Sequence, residues 1–453
     1  MEDQVQGDHG LVRSGTVPFR NACAGRRALA VSAALTNSEP RQSVAYQWLL
    51  TGLLSTAFGF VLFDRNALSF LMPFVQPQLR LSNTQVGMLS GGLSLTWAIA
   101  AFGIGVVADR FGSRKKWLIL CTVLFALCSF GSGVAVGFGM LLASRLLMGT
   151  AEGGIMPLSQ SLIAAQVSPR RRGVAMGIAQ GFGSSLMGSF VAPVVLVGFA
   201  MTYGWRHAFF LAGAPGLLIA VLMMWMIQEQ TPQPSATGAP GAGVRLRALP
   251  LNGNVIRCVI LSIAFVAYLV VTWTFMPLYL VNVRHYDAST MSWLMGVLGI
   301  AATLYSFLIP GLSDRIGRRP VMTFVPVLSF ILPLGALFYS GPVWGLATIF
   351  FIGWSFTGIM PLFMSTVPAE SVGAAHMGAA LGLCMGGSEI LGGVLAPLVS
   401  GYAADHMGMV APLDGLLLFA LVGCLAAFGL RETAPLVLAR AAGHALAQRR
   451  ALD

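Results

Sequence analysis

The feature that most constrains this chain is a succession of apolar runs, each about as long as a lipid bilayer is thick. A helix needs ~20 predominantly apolar residues to cross the hydrocarbon core. Of the 453 residues, 56% are hydrophobic and 9% are charged, whereas soluble proteins are about 25% charged. We predict an all-α integral membrane protein with twelve transmembrane helices. They are expected over residues 46–76, 83–107, 116–135, 138–166, 172–202, 207–228, 255–282, 289–312, 320–340, 343–367, 374–404 and 411–430.

The basic residues predict the orientation of the chain. Arg65 and Arg145 lie inside predicted helices, and Arg80, Arg206 and Arg284 lie in loops on one side of the membrane. The rest of the 27 lysines and arginines lie in the two tails and in or beside the loops after helices 2, 4, 6 and 8. Because basic residues concentrate in cytoplasmic loops, both termini are predicted to be cytoplasmic. The net charge of +11 then reflects membrane topology, and no nucleic-acid partner is expected.

The chain contains an internal repeat. The sequence DRFGSR begins at Asp109 after helix 2, and DRIGRR begins at Asp314 after helix 8. An Ala-Pro pair at 192–193 recurs at 396–397 with nearly the same separation. These repeats predict two pseudo-symmetric six-helix halves, and two such halves around a central site are the architecture of secondary transporters.

The repeat and the composition together predict the domain organisation. The stretch between the halves is polar and rich in Pro and Gly, as expected of a linker. The predicted segments are a disordered cytoplasmic tail at 1–45, the N-terminal half at 46–228, a cytoplasmic linker at 229–254, the C-terminal half at 255–431 and a cytoplasmic tail at 432–453. A targeting peptide is the alternative for 1–45, because Arg26 and Arg27 precede a short apolar patch.

The loop after helix 2 carries a resemblance to a known family. Read from Gly105, the pattern GxxxDRxGxRK resembles the signature loop between helices 2 and 3 of the major facilitator superfamily, and the loop after helix 8 is similar to its second copy. The resemblance covers residues 46 to 431 and implies the major facilitator fold. Charge-assisted contacts in these loops are expected to hold the cytoplasmic faces together in one state and to break in the other. The predicted gating residues are Asp109, Arg110, Gly112, Arg114, Asp314, Arg315, Gly317 and Arg318. An ordinary anchoring loop is the alternative.

Five ionisable residues lie inside the predicted helices, namely Asp64, Arg65, Arg145, Glu152 and Glu389. A charge at mid-bilayer costs ~2.5–3.5 kcal/mol on insertion scales, so such residues usually line a cavity or pair with each other. The two charges of helix 4 are seven residues apart and share a face. Glycines 149, 153 and 154 would let another helix or a ligand approach that face closely.

These charges also carry a narrower resemblance, to the anion:cation symporters of the superfamily. The matching strings are DRNALS from Asp64, LSxxQVG from Leu81, RLLMGTAEG from Arg145 and PLYL from Pro277. The resemblance implies cation coupling, usually by protons, for Asp64 and Glu152. It also implies a substrate-carboxylate contact for Arg65 and a supporting role for Arg145. The chain departs from the family at 167–169 and 94–98, which leaves the substrate open.

We therefore predict a secondary transporter that imports an organic anion, such as a sugar acid or an aromatic acid, by proton symport through alternating access. The predicted substrate-binding residues are Arg65, Asn66, Arg145, Gln180, Tyr268, Trp273 and Glu389. A wider set of polar and aromatic residues that could line the cavity adds Ser69, Gln160, Ser184, Thr272, Trp354 and Thr357. Three roles are possible for Glu389. It could contact a substrate hydroxyl or ammonium group, carry a second proton, or make a structural hydrogen bond within the bundle.

The sequence also bears on functions other than import. Neither lysine lies in a nucleotide-binding loop, and hydrolase motifs are absent from the sequence, so no enzyme activity, cofactor or metal is predicted. The six cysteines are scattered and predict neither disulfides nor a metal site. A proton-coupled drug or metabolite exporter and a non-transporting sensor are the alternatives, and Na⁺ is the alternative coupling ion. The expected form is a monomer in the lipid bilayer of the bacterial inner membrane.

Overall fold

The computed structural model of the protein describes residues 42–111, 113–179, 183–228, 252–373, 376–435 and 437–438. These residues form helices and connecting turns, and no β-strand occurs among them. Almost all of the predicted N-terminal tail and linker, and most of the C-terminal tail, lie outside the described residues. The bounds of the predicted halves therefore stay predictions.

Eleven of the twelve predicted membrane helices coincide with a helix of the structure. The fifth, predicted over 172–202, corresponds to the helical segments Pro169–Gly177, Ser184–Val191 and Ala192–Tyr203, between which residues 180–182 lie outside the described part. Ten helices in the described part of the chain are long and apolar enough to cross a membrane. The other two, Asn83–Phe111 and Phe138–Gln166, have 29 residues each. In chain order the helices are α1 Val44–Leu79, α2 Asn83–Phe111, α3 Arg114–Gly133, α4 Phe138–Gln166, α5 Leu186–Tyr203, α6 Trp205–Met226, α7 Gly253–Asn282, α8 Ala288–Ile316, α9 Arg318–Phe338, α10 Val343–Ser371, α11 Met377–Met407 and α12 Ala411–Phe428.

Small residues of α4 lie at its interface with α2. A Cβ added at Gly149 would overlap the backbone oxygen of Leu93 and the hydroxyl of Thr96. A Cβ at Gly153 would lie 2.5 Å from the oxygen of Trp97. The predicted close approach on this face of α4 is confirmed, and the partner is α2.

Two helices lose regular α-helical geometry at the repeated Ala-Pro pairs. The segments Ser184–Val191 and Glu389–Leu395 are π-helical, and each is followed directly by Ala-Pro. Proline lacks a backbone N–H and clashes with the carbonyl four residues before it, which explains the altered hydrogen bonding. Segments of this kind are frequent at functional sites, and the α11 segment begins at an ionisable residue. The irregularity recurs at corresponding positions of the sequence repeat.

Helix α8 begins at a capping residue outside the membrane-spanning part. Asp287 accepts hydrogen bonds from the backbone N–H groups of Ser289 and Thr290, each at 3.1 Å. Hydrogen bonds from these two residues lower the pKa of the Asp287 carboxyl to about 2. The carboxylate is therefore ionised at neutral pH and favourably placed at a helix N-terminus.

Helices α2 and α11 are in close contact where α2 begins. Cβ atoms added at Gly87 and Gly401 would overlap the backbone oxygens of Pro397 and Asn83, respectively. The Asp405 carboxylate of α11 accepts hydrogen bonds from the backbone N–H groups of Asn83 and Thr84, both at 2.8 Å. Backbone packing, together with a cap that α11 supplies to the start of α2, therefore joins the two helices at this end.

Candidate functional site

A cavity of about 440 Å³ lies among α1, α2, α4, α5, α7, α8, α10 and α11. This volume falls within the range of small-molecule sites, ~300–1,000 Å³. Aliphatic side chains and methionines form much of the wall. The polar and aromatic lining residues include Arg65, Asn66, Ser69, Ser90, Ser94, Trp97, Arg145, Ser189, Trp273, Thr274, Ser306, Trp354, Thr357 and Glu389.

Arg65 of α1 is a cation with access to the cavity. Its side chain is 23% exposed, and its guanidinium lies 5.5 Å from the centre of the Trp97 ring. The Nη1 atom lies 3.7 Å from the Oε2 atom of Glu152, a side chain with no exposed surface. This distance makes an ion pair but not a hydrogen bond. Arg65 thus bridges the cavity and a buried carboxyl.

Behind Arg65 lies a buried cluster of charged side chains from α1 and α4. The Oδ1 atom of Asp64 accepts a hydrogen bond from Ser129 at 2.6 Å, while Oδ2 has no hydrogen-bond partner among the described residues. Neither carboxylate oxygen of Glu152 has a hydrogen-bond partner there. An ionised carboxylate is costly to bury without such partners. The cluster therefore suits carboxyl groups that gain and lose a proton.

Arg145 completes this cluster, 1% exposed and at the edge of the cavity. Its guanidinium donates to Ser132 at 3.4 Å and contacts the sulfur of Met148 at 3.3 Å. It also lies 5.3 Å from the centre of the Phe209 ring. These contacts are weak for a buried guanidinium, so the carboxyls of Asp64 and Glu152 supply most of its counter-charge.

Glu389 faces the same cavity from the π-helical segment of α11. Gly393 leaves room for this side chain, because a Cβ added there would lie only 2.8 Å from the Oε2 atom of Glu389. The same added Cβ would lie 3.4 Å from the Cβ atom of Ser94 on α2. The guanidinium of Arg65 interacts electrostatically with Glu389. The cavity is thus lined by a guanidinium from α1 and a carboxyl group from α11 that interact with each other.

The structure brings most of the predicted substrate-binding residues to the cavity. Arg65, Arg145, Trp273 and Glu389 line it, as does Asn66, whose Nδ2 donates to the backbone oxygen of Gly188 at 2.9 Å. The predicted coupling residues Asp64 and Glu152 lie in the buried cluster behind it. Gln180 lies outside the described residues.

Tyr268 does not line the cavity. It is fully buried, and its hydroxyl donates to the backbone oxygen of Ser329 at 2.7 Å. Its ring packs against Phe356 and Trp354 at centroid distances of 4.9 and 6.3 Å. Tyr268 therefore supports the wall of the cavity from behind Trp354.

Several lining residues are absent from the predicted set, and helical spacing could have identified some of them. On α2, Ser90, Ser94 and Trp97 recur at spacings of four and three residues, which places them on one helix face. On α1, Phe58 and Met72 continue the face of Arg65. A helical projection from the intramembrane arginine indicates this face without a structure.

The predicted gating loops are described in part. In the first copy, Gly112 and the side chains of Asp109 and Arg110 lie outside the described part of the chain. Arg114 is the first residue of α3. In the second copy, Arg318 pairs with Asp314 at 2.5 Å and with Glu370 of α10 at 3.2 Å. Arg315 is exposed.

The second gating loop is anchored by a carboxylate that the prediction missed. Gly317 has a φ of 112°, a conformation that favours glycine. Burial raises the pKa of the Glu432 carboxyl, but backbone hydrogen bonds from Ala434, Arg318, Arg319 and Thr433 outweigh burial and hold that pKa below its usual range. Glu432 therefore caps the start of α9 as an anion.

The comparisons with known proteins agree with this geometry. The family model described as Major Facilitator Superfamily matches residues 54–397. Among curated proteins, the hexuronate transporter of Bacillus subtilis (strain 168) is 32% identical over 53% of this chain and 59% of its own length. The gallate transporter of Pseudomonas putida is 29% identical over 47% of each protein. The chain thus aligns with about half the length of these two relatives.

A longer alignment is found with the probable 4-methylmuconolactone transporter of Cupriavidus pinatubonensis, which is 26% identical over 76% of this chain and 82% of that protein. Among solved structures, an inward-facing and occupied bacterial homologue of the human lysosomal transporter Spinster has a TM-score of 0.68. It is 19% identical and covers 85% of this chain and 98% of its own. The structural likeness confirms the predicted fold, and the relatives are named as transporters, not enzymes.

Proposed function

Because this chain belongs to the Major Facilitator Superfamily and is similar to transporters of organic acids, we propose that it imports an organic carboxylate by proton symport. The cavity is the substrate site, and access alternates between its two ends as the predicted halves rock against each other. The proposed location is the bacterial inner membrane, and the coupled ion is H⁺.

The observation that carries this proposal is the position of Arg65 between the cavity and Glu152. A guanidinium binds a carboxylate with two parallel hydrogen bonds at ~2.7–2.9 Å. Its present ion pair with Glu152, at 3.7 Å, is longer than that. A substrate carboxylate that enters the cavity can therefore take Arg65 from Glu152.

This exchange of partners couples the substrate to a proton. Once Arg65 turns to the substrate, Glu152 loses its ion pair and shares the remaining cation, Arg145, with Asp64, so desolvation then favours its protonated form. One negative charge and one proton enter together, so the net charge of the site does not change. Asp64, whose Oδ2 atom is similarly unpartnered, is the second proposed proton carrier.

The test uses purified protein in liposomes that contain a pH-sensitive dye. Addition of a transported organic acid outside should acidify the interior above the level of empty liposomes. Arg65→Ala should abolish this signal, whereas Arg170→Ala, at an exposed arginine outside the cavity and outside the predicted gating loops, should leave it unchanged. Undiminished acidification by Arg65→Ala would overturn the assignment. Silence of the folded wild-type protein across a panel of organic acids would favour the exporter or a sodium-coupled carrier.

A further inference from the structure

The walls of the cavity point to the chemical class of the carboxylate, an inference that rests on the proposed function. Three of the nine tryptophans of the chain line this one cavity, namely Trp97, Trp273 and Trp354. They come from α2, α7 and α10. The rings of Trp273 and Trp354 are 5.5 Å apart and nearly perpendicular, at 84°. Flat aromatic surfaces of this kind favour a planar ring in the ligand.

Among the described residues, five of the eight serine, threonine and asparagine side chains that line the cavity hydrogen-bond within the protein, namely Asn66, Ser90, Thr274, Ser306 and Thr357. The Thr274 hydroxyl hydrogen-bonds to Ser90 and to the backbone oxygen of Val270, at 3.0 and 2.7 Å. The hydroxyls of Ser306 and Thr357 donate to backbone oxygens at 2.8 and 3.0 Å. A sugar acid, which has a hydroxyl on nearly every carbon, would bring several groups that need partners, and each one left unpaired is costly. The body of the ligand should therefore be apolar.

The wall contains a buried donor that has no hydrogen-bond partner among the described residues. The Nε1 atom of Trp354 is buried and makes no hydrogen bond with the described residues, although Trp354 lines the cavity. A buried indole N–H usually has a hydrogen-bond partner. An oxygen atom on the ligand, away from its carboxylate, would supply the missing acceptor.

We propose that the cavity selects aromatic carboxylates over sugar acids, with the carboxylate on Arg65, the ring against the tryptophans, and a ring oxygen accepting a hydrogen bond from Trp354. The relative named as a gallate transporter supports an aromatic carboxylate. The relative named as a hexuronate transporter supports the competing class, the sugar acids. Trp354 is then a specificity-determining residue.

The experiment measures calorimetric affinity and liposome acidification for four carboxylates of similar size: 4-hydroxybenzoate, benzoate, cyclohexanecarboxylate and glucuronate. For the wild-type protein we expect 4-hydroxybenzoate to bind about tenfold more tightly than the saturated ring and than glucuronate. Trp354→Phe keeps an aromatic ring but removes the N–H. It should weaken 4-hydroxybenzoate about five- to tenfold, as expected for one lost hydrogen bond, and should leave benzoate within twofold. Trp344→Phe, at a tryptophan that is 71% exposed, is the matched control.

The outcomes separate this inference from the proposed function. Tighter binding of glucuronate, with acidification, would overturn the aromatic class and leave carboxylate–proton symport intact. Equal binding of cyclohexanecarboxylate would also overturn it, because apolar burial alone would then suffice. Unchanged affinity for 4-hydroxybenzoate in Trp354→Phe would remove Trp354 from the site. Failure of the folded protein to bind any of the four would count against both proposals.

Discussion

At the scale of single residues, the buried charged groups of the site have unusually few hydrogen-bond partners among the described residues. Arg65 has an ion pair with Glu152, and Glu152 lacks a hydrogen bond to any described residue. A purely structural ion-pair network would be expected to satisfy these oxygens, because an unsatisfied buried charge destabilises a fold by several kcal/mol, typically ~3–5 for a broken pair. The unsatisfied state is instead what a carboxyl that exchanges partners during a cycle requires.

The first prediction concerns Glu152. Glu152→Gln keeps the size of the side chain but removes its titratable group. We expect accumulation driven by a pH gradient to fall at least tenfold, while exchange of labelled for unlabelled substrate, which needs no net proton movement, continues. Both are measured as uptake of labelled substrate into liposomes. Full accumulation by Glu152→Gln would refute the coupling role.

Glu389 serves as the comparison for that experiment. It lines the cavity from α11. Glu389→Gln with normal gradient-driven uptake would assign Glu389 to substrate contact or to structure and leave coupling to the cluster behind Arg65. Loss of accumulation in both variants would instead divide the coupling between α4 and α11.

At the scale of helices, glycine determines how closely α2 and α4 approach and therefore where Arg145 and Glu152 lie. These two residues are on α4, and Trp97 is on the facing helix α2. Close backbone contact is a common way for membrane helices to associate, because lipid offers no hydrophobic driving force between them. A small displacement of α4 would move both ionisable groups relative to Arg65.

The second prediction is that Gly149→Ala destabilises the protein by about 1–3 kcal/mol, since the added Cβ would overlap the Leu93 oxygen. The control is Gly139→Ala in the same helix, where nothing lies within 4 Å of an added Cβ. That variant should be neutral or slightly stabilising. Thermal unfolding of the two variants in detergent gives the comparison. Equal stability would mean that α2 and α4 do not pack as described.

At the scale of the whole molecule, the proposed alternating access requires the contact between α2 and α11 to open. This contact includes the Asp405 carboxylate at the N-terminus of α2 and the close backbone approach at Gly87. Residues 83 and 405 are far apart in sequence, and they lie in the two predicted halves. We expect the cap to favour the state in which this end is closed.

The third prediction follows from that cap. Asp405→Asn replaces one of the two accepting oxygens by an amide NH₂ and removes the charge, so it should weaken the cap by about 1 kcal/mol, which is about a fivefold shift toward the open state. Spin labels on cysteines at Tyr203 and Met407, which are 61% and 77% exposed, should then show longer distances at this end. Asp414→Asn, at an exposed carboxylate in the first turn of α12, is the control. An unchanged distance distribution would show that packing alone keeps this end closed.

The predictions made from the sequence agree best with the structure where they depend on local properties of the chain. The thickness of the bilayer determines the length of each apolar run, so the predicted helices match those observed; for example, 138–166 coincides with α4. The cost of intramembrane charge singles out Arg65, Arg145 and Glu389, which line the cavity, without reference to any contact. Glycines at helical spacing likewise indicate a close interface, although not its partner.

The sequence alone therefore determined that the chain is a twelve-helix membrane protein with repeated motifs and a charged site. Only the tertiary structure decided which side chains face the cavity. Tyr268 and Trp354 are both fully buried aromatic residues, yet only Trp354 lines the cavity. Helix rotation and the partners of polar atoms depend on neighbours that are distant in sequence. The same long-range packing places the Asp405 carboxylate at the N-terminus of α2.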